Sequence, residues 1–171
     1  ADVQQYHIWW LCRVWESDGE NVRSSLLDFG TVPTFYDLEL KIRKFAPLLV
    51  GIDNSYAERA SEVMDFCADN TISNIKNSND ANVVAMMGDA QLKEITHPSL
   101  KDALEGRSRT GYRPYCLLMW NTDVCRTRLI EMIAGISCYQ WSVPERWGDN
   151  KLRRDYVMQV TSTRKVDGEW Q

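Results

Sequence analysis

Leu48-Leu49-Val50-Gly51-Ile52 is an unbroken apolar run, closed by Pro47 on one side and by Asp53-Asn54-Ser55 on the other. It is too short for a helix and has no polar side to offer water. It therefore reads as a strand covered on both faces, central in a sheet. Tyr115 to Trp120 has the same character, and Val83 to Met87 supplies a third short apolar run. Between them the periodicity changes. Phe35, Leu38, Ile42 and Phe45 recur at helical spacing, stopped by Pro33-Thr34 before and Pro47 after. Ala60, Val63, Met64 and Cys67 mark one face of a helix from about Glu58 to Ala68, with Ser55 as its expected cap. Val124, Leu129, Met132 and Ile133 give another helix its apolar face.

Val3 to Trp15 and Val22 to Val32 are strand-like and flank the turn sequence Ser17-Asp18-Gly19-Glu20, so the chain opens with a β-hairpin. A kink near Gln4-Gln5 is an open alternative to one straight first strand. Residues 70 to 113 hold one short strand and a long irregular excursion. A last strand at Tyr139 to Val143 precedes a helix carrying Leu152, Tyr156, Val157 and Val160. Strands alternating with helices predict a single α/β domain, a mixed sheet flanked by helices. Its length of 171 residues fits one core.

Composition narrows function. Hydrophobic residues are 44% and charged residues 26%, which excludes a disordered chain. No apolar stretch approaches the roughly 20 residues needed to cross a bilayer, and no leader-like segment is visible, so the expected location is cytoplasmic, away from membranes. The net charge is −4, yet residues 1 to 85 carry 7 Lys and Arg against 13 Asp and Glu, and residues 86 to 171 carry 13 against 11. The second half can therefore meet a polyanion locally. The five cysteines form no C-x-x-C pair and there are only two histidines, which predicts reduced, buried thiols and argues against a zinc cluster. No P-loop and no G-x-S-x-G turn occur. Trp9, Trp10, Trp15 and Trp120 fall in strand patterns and are expected mostly in the core.

A right-handed crossover from the hairpin through helix 34 to 45 brings strand 48 to 52 parallel and close to the first strand. Asp2 and Asp53 then share a sheet, and they share an end of it if the chain kinks after Gln4. Paired carboxylates at strand ends serve divalent cations or acid/base chemistry. The same residues also read as a turn with a helix cap at Asp53-Asn54-Ser55 and as an exposed acid at Asp2. Asp123 could add a ligand, and it also fits a first-turn helix carboxylate.

Ala1-Asp2-Val3-Gln4, Cys12-Arg13-Val14-Trp15 with Asp18-Gly19-Glu20, and Leu27-Asp28-Phe29-Gly30 together resemble the opening of the nuclease domain of lambda-type phage terminase large subunits. That family carries a "DVQ" strand, a tryptophan before a glycine turn and an "IDYG" strand. Ile52-Asp53-Asn54-Ser55-Tyr56 with Val63-Met64-Asp65-Phe66-Cys67 is similar to its "IDSGY...VYDFC" segment, and Tyr156 to Ser162 to its "YxxQLTSE" helix. Ile75-Lys76-Asn77-Ser78 stands where the family has a "KG" turn.

The resemblance implies an RNase H-like fold and an endonuclease that cuts concatemeric viral DNA in the host cytoplasm. Two Mg²⁺ or Mn²⁺ ions would be held by acids from the first strand, the fourth strand and a C-terminal helix. Asp2 and Asp53 match the first two as catalytic and metal-ligating residues. Lys76, Arg107, Arg109 and Arg113 are the candidates for contacting the backbone of double-stranded DNA. The implied partners are the terminase ATPase domain, the small subunit and the portal protein. Thr163 stands where the family has a glutamate, and the third acid is expected past Gln171, which makes the chain a fragment of a longer polypeptide. The alternative is a catalytically incomplete RNase H-like module that binds DNA or protein.

Overall fold

The computed structural model describes residues 1–70, 82–104, 111–136, 139–143, 154, 156, 165–166 and 169–170. It is mixed α/β. The elements run β1 (Asp2–Val3), β2 (Ile8–Ser17), β3 (Val22–Val32), α1 (Phe35–Phe45), β4 (Val50–Asp53), a 3-10 turn (Ala57–Arg59) leading into α2 (Ala60–Asn70), β5 (Val83–Gly88), β6 (Thr96–Asp102), β7 (Pro114–Trp120), α3 (Thr122–Ile133) and β8 (Tyr139–Ser142). A two-stranded ladder, β9 (Lys165–Val166) with β10 (Glu169–Trp170), follows.

Two four-stranded mixed sheets result, ordered β1-β2-β3-β8 and β4-β5-β7-β6. In the first, β1, β2 and β3 are antiparallel, and β8 joins β3 in parallel. In the second, β4, β5 and β7 are parallel and β6 is antiparallel to β7. Two backbone bonds join the sheets: Ala1 N donates to Gly51 O at 2.5 Å, and Asp53 N donates to Ala1 O at 2.8 Å. This alternation is that of a parallel bridge between Ala1 and Ile52.

The long first strand is broken. Gln4 N donates to His7 O at 2.9 Å, closing a tight turn, and the register Asp2↔Trp9 and Val3↔Ile8 folds β1 back on β2. The kinked alternative is the one observed. Val3, Ile8, Trp10, Ile52 and Val63 form one buried cluster with Leu38 of α1 and Phe66 of α2, where Phe35 meets Phe66 with ring centres 5.0 Å apart. Thr34 caps α1 by accepting from Asp37 N, and Ala46 ends it in the left-handed region at φ 43°.

Several details depart from the sequence expectations. Leu48 and Leu49 lie outside β4 and are 96% and 58% exposed, because the buried strand starts at Val50. Ser55 does not cap α2; its hydroxyl turns back to Asp53. The excursion before β7 contains β6, a strand with no buried residue rather than an apolar run. Of the expected α3 face only Met132 is buried. Trp15 is 55% exposed, near the hairpin tip rather than in the core. Cys67 and Cys116 are buried and Cys12 and Cys125 half-buried, all four free. Cys138, Trp147 and all of the last predicted helix except Arg154 and Tyr156 lie outside the described residues.

Candidate functional site

The bridge between Ala1 and Ile52 fixes the next rung. In parallel strands residues one step past a bridge are again neighbours, so Asp2 and Asp53 stand side by side, on strands about 4.8 Å apart. Both side chains leave the sheet on the same face, opposite to buried Ile52. β1 ends at Val3 and the chain reverses at Gln4 to His7, so Asp2 lies just before the reversal, level with Asp53 at the C-terminal end of β4. Arg59 holds that reversal against the start of α2. Its Nη1 donates to Gln4 O at 3.0 Å while its guanidinium pairs with Glu62 at 2.9 Å.

Each carboxylate is oriented by one local donor group. Asp2 Oδ1 accepts from Gln4 Nε2 at 2.8 Å. Asp53 Oδ1 accepts from Ser55 N at 3.2 Å and Ser55 Oγ at 2.5 Å. The second oxygen of each acid has no partner among the described residues, and no described lysine or arginine pairs with either. Two like charges are thus held together with open lone pairs, a donor set suited to a hard cation. Asn54 follows directly. It is buried, its backbone N donates to Met86 O at 2.8 Å, and its side-chain Oδ1 has no hydrogen-bond partner among the described residues. Beside Asp2 lies a cavity of about 370 Å³ walled by Trp9, Leu11, Phe29, Leu129 and Tyr156.

Arg113 does not join this group. It precedes β7 at the N-terminal end of the parallel strands. Asp53 aligns through Met86 with Leu118, about 16 Å farther along β7 at 3.3 Å per residue. Its guanidinium is taken up by Asp65 at 3.0 Å and by Asp69, which clamps β7 to α2. These two acids hold the Arg113 pKa above its ordinary value, chiefly through the Asp69 hydrogen bond. Lys76, Arg107 and Arg109 lie outside the described residues, as does Thr163. Asp123 occupies the first turn of α3, behind Asn121, whose side chain caps the helix by accepting from Val124 N at 2.9 Å.

One acid at this edge was not singled out from the sequence. Asp89 directly follows β5 as Asp53 ends β4; its N donates to Trp120 O at 2.9 Å, and its Oδ1 accepts from Gln91 N at 2.8 Å. The signal was available: Gly88-Asp89 closes the apolar run Val83 to Met87 as Asp53 closes Leu48 to Ile52. Among the described residues no group of three or more His, Cys, Asp or Glu is placed to hold a metal. No helix among them is long and apolar enough to cross a membrane. No known family profile, curated protein or solved structure matches this chain.

Proposed function

We propose that the chain is a metal-dependent DNA endonuclease domain with an RNase H-like fold, of the kind found in terminase large subunits. The observation that carries this reading is the adjacency of Asp2 and Asp53 on one face of the sheet, each with an oxygen left open. The first and fourth strands are neighbours, as a centre drawing acids from those two strands requires.

Asp2 and Asp53 would hold Mg²⁺ or Mn²⁺. When bound, such ions supply an activated water and stabilise the departing 3′ oxygen of a phosphodiester. The chain's own contribution is orientation. Gln4 and Ser55 each fix one carboxylate oxygen, and the other oxygen of each acid has no partner among the described residues and is available to an ion. Double-stranded DNA is the substrate on this reading, with Lys76, Arg107 and Arg109 as phosphate contacts. Arg113 would first have to leave both Asp65 and Asp69. The ATPase domain, the small subunit and the portal protein are the partners, in the host cytoplasm.

Plasmid nicking in Mn²⁺ is the test, on this chain and on a version continued past Gln171 to supply a third acid. Weak nicking by the first, a gain of orders of magnitude in the second, and loss of that gain in Asp53→Asn are expected. DNA binding with no cleavage in either would favour the incomplete binding module instead.

A further inference from the structure

β2 and β4 face each other across a lane that β1 fills only in part. β1 pairs with β2 through Asp2 and Val3 alone, opposite Trp9 and Ile8, whereas β2 continues to Ser17. On the other side only Ala1 bridges to β4. Alternate residues of a strand direct their backbone groups to the same neighbour. Gln4 and His7 are a bonded pair, so Asp2 with Trp9 is the next one, and Leu11, two residues on, turns its N–H and C=O into the lane. From β4, Gly51 accepts from Ala1, which directs the Gly51 N–H and the Leu49 C=O into the same space. Among the described residues no strand meets these groups.

The lane is also a cavity. About 110 Å³ lies between these strands and α1, bounded by Cys12, Leu38, Ile42, Phe45 and Gly51. A single water needs only about 10–15 Å³ of such space, so this volume suits an apolar side chain with its backbone. At its head the part-buried Ala1 nitrogen already donates to Gly51 O at 2.5 Å.

We propose that this lane is a strand-accepting site, filled by an extended stretch of polypeptide running into Ala1 from its N-terminal side. The direction is set by Ala1, which already forms the first rung: antiparallel to β2 and parallel to β4. The residue directly before Ala1 exchanges both backbone bonds with Leu11 and covers its half-exposed side chain. The residue before that accepts from Gly51 N–H, donates to Leu49 C=O and places its side chain over Leu38, Ile42 and Phe45. An apolar residue is required there. Filling the lane makes one continuous sheet ordered β8-β3-β2-β1-β4-β5-β7-β6, and this holds whether or not the chain is a nuclease.

The test compares the 171-residue chain with the same chain carrying Thr-Val-Val-Val in front of Ala1, by amide hydrogen exchange and thermal melting. Leu11 and Gly51 amides should exchange quickly in the first and at least tenfold more slowly in the second, with a melting point several degrees higher. Replacing the valine directly before Ala1 by proline removes the donor to Leu11 and should cancel most of the gain. Leu11 and Gly51 already as protected as Trp10 and Ile52 without the extension would overturn the proposal, as would an extension that changes neither readout. Equal protection by a free Thr-Val-Val-Val peptide would overturn the in-line occupant in favour of a separate strand.

Discussion

Asp2 and Asp53 are fifty-one positions apart in sequence and adjacent across two parallel strands, because Ala1 bonds to the residues on either side of Ile52. No lysine or arginine side chain among the described residues pairs with either acid, although the Ala1 α-ammonium attracts both. Like charges directly opposed on neighbouring strands cost up to about 1 kcal/mol. In the absence of divalent ions Asp53→Asn should therefore raise stability by about 0.5 kcal/mol. Mn²⁺ should stabilise the parent, since a ligand that binds only the native state adds RT ln(1 + [L]/Kd). Melting with and without Mn²⁺ checks both statements. An equal Mn²⁺ shift in parent and Asp53→Asn would remove Asp53 from the site.

Arg13 binds the hairpin to β8. Its Nε donates to Ser24 Oγ at 2.6 Å, its Nη2 to Ser24 O and Ser142 O at 2.7 Å each, and its Nη1 to Tyr156 Oη at 3.2 Å. The same guanidinium stacks 3.5 Å over the Trp141 ring. An ammonium can neither fork nor stack in this way. Arg13→Lys should cost about 1–3 kcal/mol in denaturant unfolding and expose Trp141 to quenchers. Unchanged midpoint and fluorescence would show that the cluster contributes little.

A methyl group at Gly51 would run into Met86 Sδ on the neighbouring strand. Met86 aligns with Asp53, so pushing it aside disturbs the wall beside the acid pair. Because the obstacle is the far end of a flexible thioether, Gly51→Ala is expected to destabilise by no more than about 1 kcal/mol, and Met86→Ala in the same chain should return part of that loss. Strict additivity of the two changes would mean that the two side chains do not meet.

Burial pushes the Cys67 thiol up to about 12, from an ordinary 9.0, with Cys116 adding to the rise. The unfolded chain loses this proton first, so the contribution is intact below pH 9 and stability falls as pH rises from 9 towards 12. The slope is about 1 kcal/mol per pH unit. Cys67→Ala, though less stable at neutral pH, should show a flatter decline across that range. In the native parent Cys67 should also resist alkylation at pH 8. Rapid native labelling of Cys67 would contradict its burial.

The sequence was most legible where one physical signal acted alone. The spacing of Phe35, Leu38, Ile42 and Phe45 between two prolines matches α1 at both ends, and the run at Tyr115 to Trp120 matches β7. It was least legible where local chemistry offered two uses for one side chain. Ser55 could cap a helix or bond to Asp53, and only the packed chain decides. β6 lacks an apolar run because it is a half-exposed edge strand that borrows its order from β7, so Thr96 to Asp102 looked irregular. The Asp2 and Asp53 pair was visible as two candidate acids. Their meeting depended on the turn at Gln4 to His7, for which the sequence offers no glycine or proline. Arg113 read as a free cation because its partners, Asp65 and Asp69, lie more than forty positions earlier.

The parallel pairing of β3 with β8 sets an order of events during synthesis. Val22 to Ser25 leave the ribosome long before Tyr139 to Ser142, and the whole of β4 through α3 is made in between. Until then the outer edge of β3 is open, with Ser24 and Arg13 lacking the carbonyl and ring that later enclose them. Unpaired edges of this kind recruit strands from other chains. A ribosome stalled before Tyr139 would therefore hold a nascent chain that looks largely folded yet sticks to its neighbours, and release would come with the last strand.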